Sequence, residues 1–241
     1  HCHLELSHLK GKVREHTHID GFVKELQSKR EEKAEAIQAA ITDADKAMDQ
    51  NGIVAVGDIS NGNSTFNAKQ ESKINYHTFI ELFGFDATKA ASIYDGAKKL
   101  QNQLNELGLH NSIVPHSPYS VSLSLFEHIN NGHKNGHPIC IHNQENKDEN
   151  AFYQTGTGRL AEMLKSFGLS IKDWKGGHKS SIQGYLHLLP ANCPVLFVHN
   201  TFTSAEDIDF VIKSHPAPFW CFCPNANQYI ENTLPNIPLF L

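Results

Sequence analysis

Short apolar runs alternate with longer amphipathic stretches along this chain of 241 residues, and this alternation constrains its fold more than any other feature. The runs suit strands that are buried on both faces. They cover residues 52–58, 76–83, 112–115, 138–142, 194–199 and 218–223. Helical patterns cover residues 28–49, 87–107, 122–135, 158–167, 180–189 and 204–214. This order predicts an α/β fold in which β/α units surround a parallel sheet.

Two of the apolar runs end in a histidine, His142 in one and His199 in the other. In β/α barrels the functional side chains stand at the carboxyl ends of the strands. An open, doubly wound sheet more often carries a glycine-rich phosphate loop after its first strand. No G-x-G-x-x-G motif and no P-loop occurs in the chain. The pattern therefore favours a (β/α)8 TIM-like barrel over an open sheet.

Six predicted strands are two fewer than such a barrel requires. The opening segment His1-Cys2-His3 would follow a strand upstream of residue 1, and the chain stops at Leu241 soon after a seventh unit begins. An unclosed barrel would expose long sheet edges. We therefore expect residues 1–241 to be an incomplete barrel that lacks strand one and strand eight.

The composition limits the kinds of molecule that this protein is expected to bind. With 39% hydrophobic and 20% charged residues, a net charge of -5 and no Lys/Arg-rich run, binding to nucleic acid or to an anionic membrane by bulk electrostatics is not expected. No apolar run approaches the roughly 20 residues that span a bilayer. The five cysteines, an odd number, fit reduced thiols better than a disulfide framework. These features predict a cytoplasmic protein with a small-molecule substrate.

The pair His1-x-His3 is the first candidate metal site. Along a strand, residues two apart point to the same side, so both imidazoles can bind one ion. His142 is a further candidate ligand, and Glu145, three residues later, can act as a proton shuttle beside it. His199 should emerge at the same rim, where it can bind the metal or orient a water molecule.

Other histidines and cysteines compete for this role. His16-Thr17-His18 is a second H-x-H, but it follows charged residues rather than an apolar run, so we expect residues 16–20 to form a mobile loop near the mouth. Cys221 and Cys223 would face one side of a strand without the C-x-x-C spacing of common zinc sites. Glu145 also lies in a charged run that ends at Glu149, which is compatible with simple exposure.

With these motifs assembled, the chain resembles the amidohydrolase superfamily, in the branch of cytosine, guanine and adenosine-type deaminases and triazine chlorohydrolases. The Leu4-Glu5 continuation is similar to some aminofutalosine and related nucleoside deaminases. The matching segments are HCHLELSHLKG at 1–11, VPHSPYSVS at 114–122, CIHNQE at 140–145, VLFVHNTFTSAEDI at 195–208 and CPNAN at 223–227.

The resemblance implies a cofactor and a set of site residues. The cofactor is one divalent metal, zinc or alternatively iron, held by His1, His3, His142 and an Asp expected beyond Leu241, a role for which Asp207 and Asp209 are poor substitutes. The implied catalytic residues are Glu145 and His199, and the implied substrate-binding residues are His116 and Asn227. The family's small flanking β-domain has no counterpart within residues 1–241.

The resemblance also implies a reaction. Metal-activated hydroxide would deaminate a purine, pyrimidine, nucleoside or related heterocyclic amine, so the expected protein is a hydrolase of non-peptide C–N bonds. A homodimer is implied as well. Two alternatives stay open: a metal-dependent phosphoesterase, which can also begin with H-x-H on a β/α barrel, and an inactive relative that binds a metal or a nucleoside.

Overall fold

A strand lies at each of the six predicted apolar runs. The computed structural model describes residues 1–134, 136–169, 171, 174 and 176–241. Its strands are β1 (Ala55–Ser60), β2 (Asn75–Leu82), β3 (His110–Pro115), β4 (Ile139–Asn143), β5 (Val195–His199) and β6 (Pro218–Cys221). The α/β prediction is therefore confirmed, with small shifts in the bounds of each strand.

The strands form two parallel three-stranded sheets, in the orders β1–β2–β3 and β4–β5–β6. The His142 N–H donates to the His116 carbonyl at 2.9 Å, which places the end of β4 beside the end of β3. At the free edge of β1, Cys2 pairs in parallel with Asp58. The carboxyl ends of the strands therefore meet on one side of the fold, as expected for β/α units.

Helices occupy the stretches between the strands. They are α1 (His18–Lys29), α2 (Ala34–Gln50), α3 (Phe66–Glu71), α4 (Ala90–Glu106), α5 (Leu123–Gly132), α6 (Lys147–Thr155), α7 (Arg159–Ser166), α8 (Ser181–Tyr185), α9 (Ala205–Ser214) and α10 (Pro224–Glu231). Each predicted helical stretch contains all or nearly all of one of them. Asn135, the last residue of the stretch predicted over 122–135, lies outside the described residues.

The largest correction concerns the segment before α2. The helix predicted from residue 28 begins only at Ala34, and the loop predicted over residues 16–20 is wrong from His18 onward, because His18 begins α1. Ile19 is buried, and Glu231 near the end of the chain accepts its backbone N–H at 2.8 Å. This helix depends on a distant partner, which local periodicity does not encode.

Two apolar clusters hold these layers together. The larger one packs the strands against the helices, and Phe79, Ile141 and Phe197 are among its buried members. The smaller one joins Leu4, Ile41, Ile74 and Tyr76. Each such side chain contributes roughly 1.5–3 kcal/mol on burial. The smaller cluster anchors the 3₁₀ helix Leu4–Leu9, and with it the adjoining H-x-H pair, against α2 and β2.

Two predictions from composition can be compared with the fold. All five cysteines are free, as expected for reduced thiols. Within the described ranges, no helix combines the length and the apolar character needed to cross a membrane.

Candidate metal centre and active site

Three imidazoles from two distant parts of the chain meet at the carboxyl ends of the strands. His1 and His3 flank Cys2, whose backbone pairs with the edge of β1, so both rings turn to the same side. The Nε2 atom of His3 lies 3.2 Å from Nε2 of His1 and 3.2 Å from Nε2 of His142. The three predicted metal ligands therefore come together.

The spacing of these nitrogens fits a metal ion. One ligand atom from each ring lies within 4.8 Å of the other two. In a tetrahedral site with Zn–N distances of about 2.0–2.1 Å, ligand nitrogens are ~3.3 Å apart. Nδ1 of His142 lies 2.8 Å from the His116 carbonyl oxygen, which leaves Nε2 available. Burial lowers the pKa of His3 to about 3, so this ring is neutral near pH 7.

A buried carboxylate that was not among the predicted site residues lies behind this trio. Oε1 of Glu81 is 2.9 Å from Nδ1 of His116 and 3.2 Å from Nδ1 of His142. The side-chain amide of Asn61 donates to Oε2 at 3.1 Å. Burial would raise the pKa of Glu81, but the charge of His116 and hydrogen bonds from both imidazoles lower it well below its usual range.

Glu81 in turn favours positive charge on His142. Burial would lower the pKa of His142, but its hydrogen bond to Glu81 and the charge of that carboxylate raise the pKa to about 9. A metal ion bound at Nε2 would place positive charge beside the Glu81 carboxylate, as a second proton on the ring does. A carboxylate bonded to the rear nitrogen of a metal-binding histidine is a common way to fix the orientation of the ring.

Glu145 and His199, the two predicted catalytic residues, face each other. Oε1 of Glu145 lies 3.4 Å from Nε2 of His199, and the His199 and His142 ring centroids are 5.4 Å apart. Burial raises the pKa of Glu145. Burial, together with the charge of His142, lowers the pKa of His199 well below its usual range. A neutral imidazole beside a carboxyl group with increased proton affinity is suited to proton transfer.

The two predicted substrate contacts have different surroundings. The side chain of His116 is 31% exposed, and its ring centroid lies 4.7 Å from that of His142. Asn227 is fully buried, and its amide nitrogen lies 3.3 Å from Nδ1 of His199 and also contacts the Thr201 hydroxyl. His116 thus borders the open side of the centre, whereas Asn227 supports His199 from behind.

Left-handed backbone shapes the two loops that carry Glu145 and His199. The φ angles are 45° at Gln144, 79° at His199 and 56° at Asn200, values that cost energy for residues other than glycine. The Asn143 side chain donates to that of Asn200 at 3.0 Å, and the Asn200 N–H donates to the Asn143 carbonyl at 3.0 Å. These cross-links hold the strained loops in place beside the candidate metal ligands.

Asp207, which was expected to be a poor metal ligand, supports the same region. Its carboxylate accepts hydrogen bonds from the side chains of Gln144, Ser180 and Gln183. With Ser204 it also forms a capping box at the start of α9. Burial would raise the pKa of Asp207, but these hydrogen bonds lower it. The oxygens of this carboxylate are therefore used to fix the residue that precedes Glu145.

Neither competing pair completes a set of three metal ligands among the described residues. Nδ1 of His18 lies 3.1 Å from Glu231. In the part of the chain that the structure describes, His16 and His18 belong to no group of three potential metal ligands, and the same is true of Cys221 and Cys223.

Glu149, below the Glu145 loop, is fully buried. Its Oε1 accepts hydrogen bonds from the Gln144 N–H at 2.9 Å and from the Ser181 hydroxyl at 2.5 Å. Among the described residues, its Oε2 has no hydrogen-bond partner. Burial raises the pKa of Glu149 from 4.5 to about 7. The folded protein therefore retains a proton here over a pH range in which the unfolded chain releases it.

This proton predicts a pH-dependent stability. The contribution of Glu149 is complete below pH 4.5 and is lost as the pH rises through 7. The Glu149→Gln variant is neutral at every pH, so between pH 5 and pH 8 it should gain about 2 kcal/mol of unfolding free energy relative to the native protein. Urea unfolding at the two pH values measures this difference. An identical pH dependence in both proteins would contradict the expected shift.

The centre gathers imidazoles and carboxylates where parallel β/α folds place their active sites. Three converging histidine nitrogens are also the protein ligands of a common type of catalytic zinc site. The fold and the centre together have the features that a metal-dependent hydrolase requires.

Comparison with known proteins identifies similar deaminases. No family model matches the chain. An adenosine deaminase of Helicobacter pylori is 23% identical over 233 residues, which are 96% of this chain and 56% of that protein. An aminodeoxyfutalosine deaminase of Nitratiruptor sp. is 27% identical over 191 residues, which are 76% of this chain and 44% of that protein. The chain thus spans about half the length of the curated relatives it matches.

Solved structures share the fold. Aminofutalosine deaminase of Helicobacter pylori, in complex with methylthio-coformycin, superposes with a TM-score of 0.83 at 22% identity, over 99% of this chain and 58% of its own. A mutant of the atrazine chlorohydrolase TrzN from Arthrobacter aurescens, complexed with zinc and atraton, has a TM-score of 0.69 at 11% identity, over 100% of this chain and 55% of its own. The predicted resemblance to deaminases and chlorohydrolases of the amidohydrolase superfamily is confirmed.

Proposed function

We propose that this chain forms the catalytic part of a hydrolase that removes an amino group from a purine, pyrimidine, nucleoside or related heterocycle. The observation that carries the proposal is the convergence of His1, His3 and His142 beside the Glu145–His199 pair. The relatives named adenosine deaminase and aminodeoxyfutalosine deaminase support this type of reaction. The proposal concerns the whole protein, because this chain spans about half the length of the relatives it matches.

The proposed cofactor is one divalent metal, zinc or alternatively iron, held by Nε2 of His1, His3 and His142. The 3.2 Å spacing of these nitrogens and the hydrogen-bonded Nδ1 of His142 support this assignment. The zinc in the TrzN structure favours zinc. When bound, the ion would supply Lewis acidity and make a water molecule a stronger acid.

The chain's own residues would manage the protons. Glu145 would take one proton from the attacking water and deliver it to a ring nitrogen. It would then pass the second proton of that oxygen to the leaving amine, so that the C–N bond breaks, the C=O bond forms and ammonia departs. His199, 3.4 Å from Glu145, would donate a hydrogen bond to the attacking oxygen. His116 would contact the substrate at the open side of the centre. Asn227 would contribute to substrate binding near the pocket by orienting His199.

The wider architecture is part of the same proposal. We infer that the two sheets belong to a (β/α)8 barrel of which residues 1–241 are an incomplete catalytic portion, with a fourth metal ligand, an Asp, beyond Leu241. The carboxyl ends that meet at His116 and His142, and the pairing of Cys2 with β1, support this arrangement. A homodimer and a cytoplasmic location stay predictions.

An ammonia-release screen tests the function. The zinc-loaded protein should release ammonia from at least one member of a panel of adenine nucleosides, guanine, cytosine and triazines, and removal of the metal by a chelator should abolish the release. The metal-free protein, reloaded with zinc, is the control. Release of phosphate from a phosphoester in place of ammonia would favour the phosphoesterase alternative, and binding of a nucleoside without turnover would favour an inactive relative.

A further inference from the structure

A fully buried ion pair lies beneath the H-x-H segment. Nζ of Lys69, in α3, is 2.6 Å from Oδ2 of Asp58, in β1, and neither side chain is exposed to solvent. Lys69 also donates to the hydroxyls of Ser60 at 3.0 Å and Thr78 at 3.1 Å. An ammonium group has three protons to donate, so all three have acceptors. The carboxylate of Asp58 is therefore held in one orientation from below.

The other oxygen of Asp58 contacts the neighbours of His3 on both sides. Oδ1 accepts the Leu4 N–H at 2.8 Å and lies 3.0 Å from the Cys2 thiol, which donates to it. The backbone of Cys2 is also bonded to β1, because its N–H donates to Gly57 at 3.1 Å and its carbonyl accepts from Ile59 at 2.9 Å. One side chain thus contacts the residue before His3 through its thiol and the residue after His3 through its backbone N–H.

Stability alone is a weak reason for such a pair. Taking two charges out of water is costly, and well-packed apolar residues often replace a buried ion pair without loss of stability. The position of this pair supplies a more specific reason, because Asp58 directly contacts the chain that presents two imidazoles to the candidate metal centre.

We propose that Asp58 is a positioning residue that holds His1 and His3 in metal-binding geometry, and that Lys69 supplies the counter-charge that lets its carboxylate stay buried. Lys69 neutralises the buried carboxylate, and the carboxylate oxygen holds the segment from Cys2 to Leu4 so that Nε2 of His3 stays 3.2 Å from Nε2 of His1 and of His142. This inference rests on the proposed metal site, and it assigns to Asp58 no contact with the ion.

Two double variants distinguish the positioning role of the acceptor at residue 58 from the effect of the buried charges. Lys69→Met with Asp58→Asn removes both charges but keeps an oxygen that can accept the Leu4 N–H. Lys69→Met with Asp58→Leu has a similar shape and no acceptor. Zinc affinity, measured by chelator competition, should stay within about threefold of native in the first variant and weaken about 10- to 100-fold in the second. The absorption spectrum of bound Co²⁺ should change only in the second.

The chain contains a matched control. Glu231 accepts the N–H of Ile19, the residue after His16-Thr17-His18, just as Asp58 accepts the N–H of Leu4 after the first H-x-H. Glu231→Leu removes an equivalent carboxylate-to-backbone contact at the second pair. Its zinc affinity should equal that of the native protein, because His16 and His18 lie in no described group of potential metal ligands.

The outcomes are distinct. Equal zinc affinity of the two double variants would overturn the positioning role. If the Asp58→Leu substitution prevents folding, Cys2→Ala decides, because it deletes one donor to Asp58 without disturbing the ion pair. We expect zinc binding about three- to tenfold weaker in Cys2→Ala, and unchanged affinity would overturn the inference. Absence of zinc binding by the native protein would instead contradict the proposed function.

Discussion

Replacement of Glu145 by glutamine is expected to lower kcat by about 10²- to 10⁴-fold while the protein keeps its zinc. Glutamine has nearly the same size and can still accept a hydrogen bond from His199, which lies 3.4 Å away. It cannot take a proton from water or return one to the leaving nitrogen. Because Glu145 is buried, bulk water is a poor substitute for the missing carboxylate. Steady-state ammonia release, with metal content measured on the same sample, provides the comparison.

An exposed carboxylate supplies the control for this experiment. Glu162 lies on α7 and pairs with Lys165 at 2.8 Å, with 72% of its side chain exposed. Glu162→Gln makes the same chemical change away from the centre and should leave kcat unchanged. Undiminished turnover in zinc-loaded Glu145→Gln would exclude the proton-transfer role. Loss of the metal in that variant would indicate instead that Glu145 contributes to metal binding.

His3→Ala is expected to weaken zinc binding by more than about 100-fold, since even residues that only support a metal ligand are worth 10- to 100-fold. Nε2 of His3 is the nitrogen that lies 3.2 Å from both of the others, so its removal breaks the trio at its centre. Two imidazoles would remain where catalytic zinc normally has three protein ligands. Chelator competition at a fixed pH measures the dissociation constant, and ammonia release should fall with metal occupancy.

The second H-x-H provides the matched control for His3. His16→Ala removes an exposed imidazole from His16-Thr17-His18, and zinc affinity should stay within about twofold of native because no converging third ligand accompanies that pair among the described residues. The reverse result, with affinity lost in His16→Ala and kept in His3→Ala, would move the metal site to the second pair.

The positions of the strands were predictable because burial on both faces leaves a local signature. The run at residues 194–199 is apolar up to its final histidine, and β5 occupies Val195–His199. Helix α1 left no such signature. Its buried Ile19 and its partner Glu231 are far apart in sequence, and the charged residues before it suggested a loop.

The candidate site was predictable in part for the same reason. His142 and His199 end apolar runs, and the parallel arrangement of their strands places both at one end of the fold. The same rule also applies to Glu81 and Asp58, which lie at or near the ends of the first two predicted strands. Acidic residues at those positions were a usable signal. The specific roles of Asp58 and Glu81 were not predictable, because they depend on which rings and backbone groups lie beside each carboxylate.

By itself, the sequence determined the β/α order, the side to which His1 and His3 turn, and the end of the fold at which His142, Glu145 and His199 stand. Those properties follow from periods of two and 3.6 residues, which act over a few positions. Only the tertiary structure decided that His3 and His142, 139 residues apart, have nitrogens 3.2 Å apart, and that Asp58 and Glu81 brace them. Such contacts depend on strand order and on the burial of charge, neither of which is written in any local stretch of the chain.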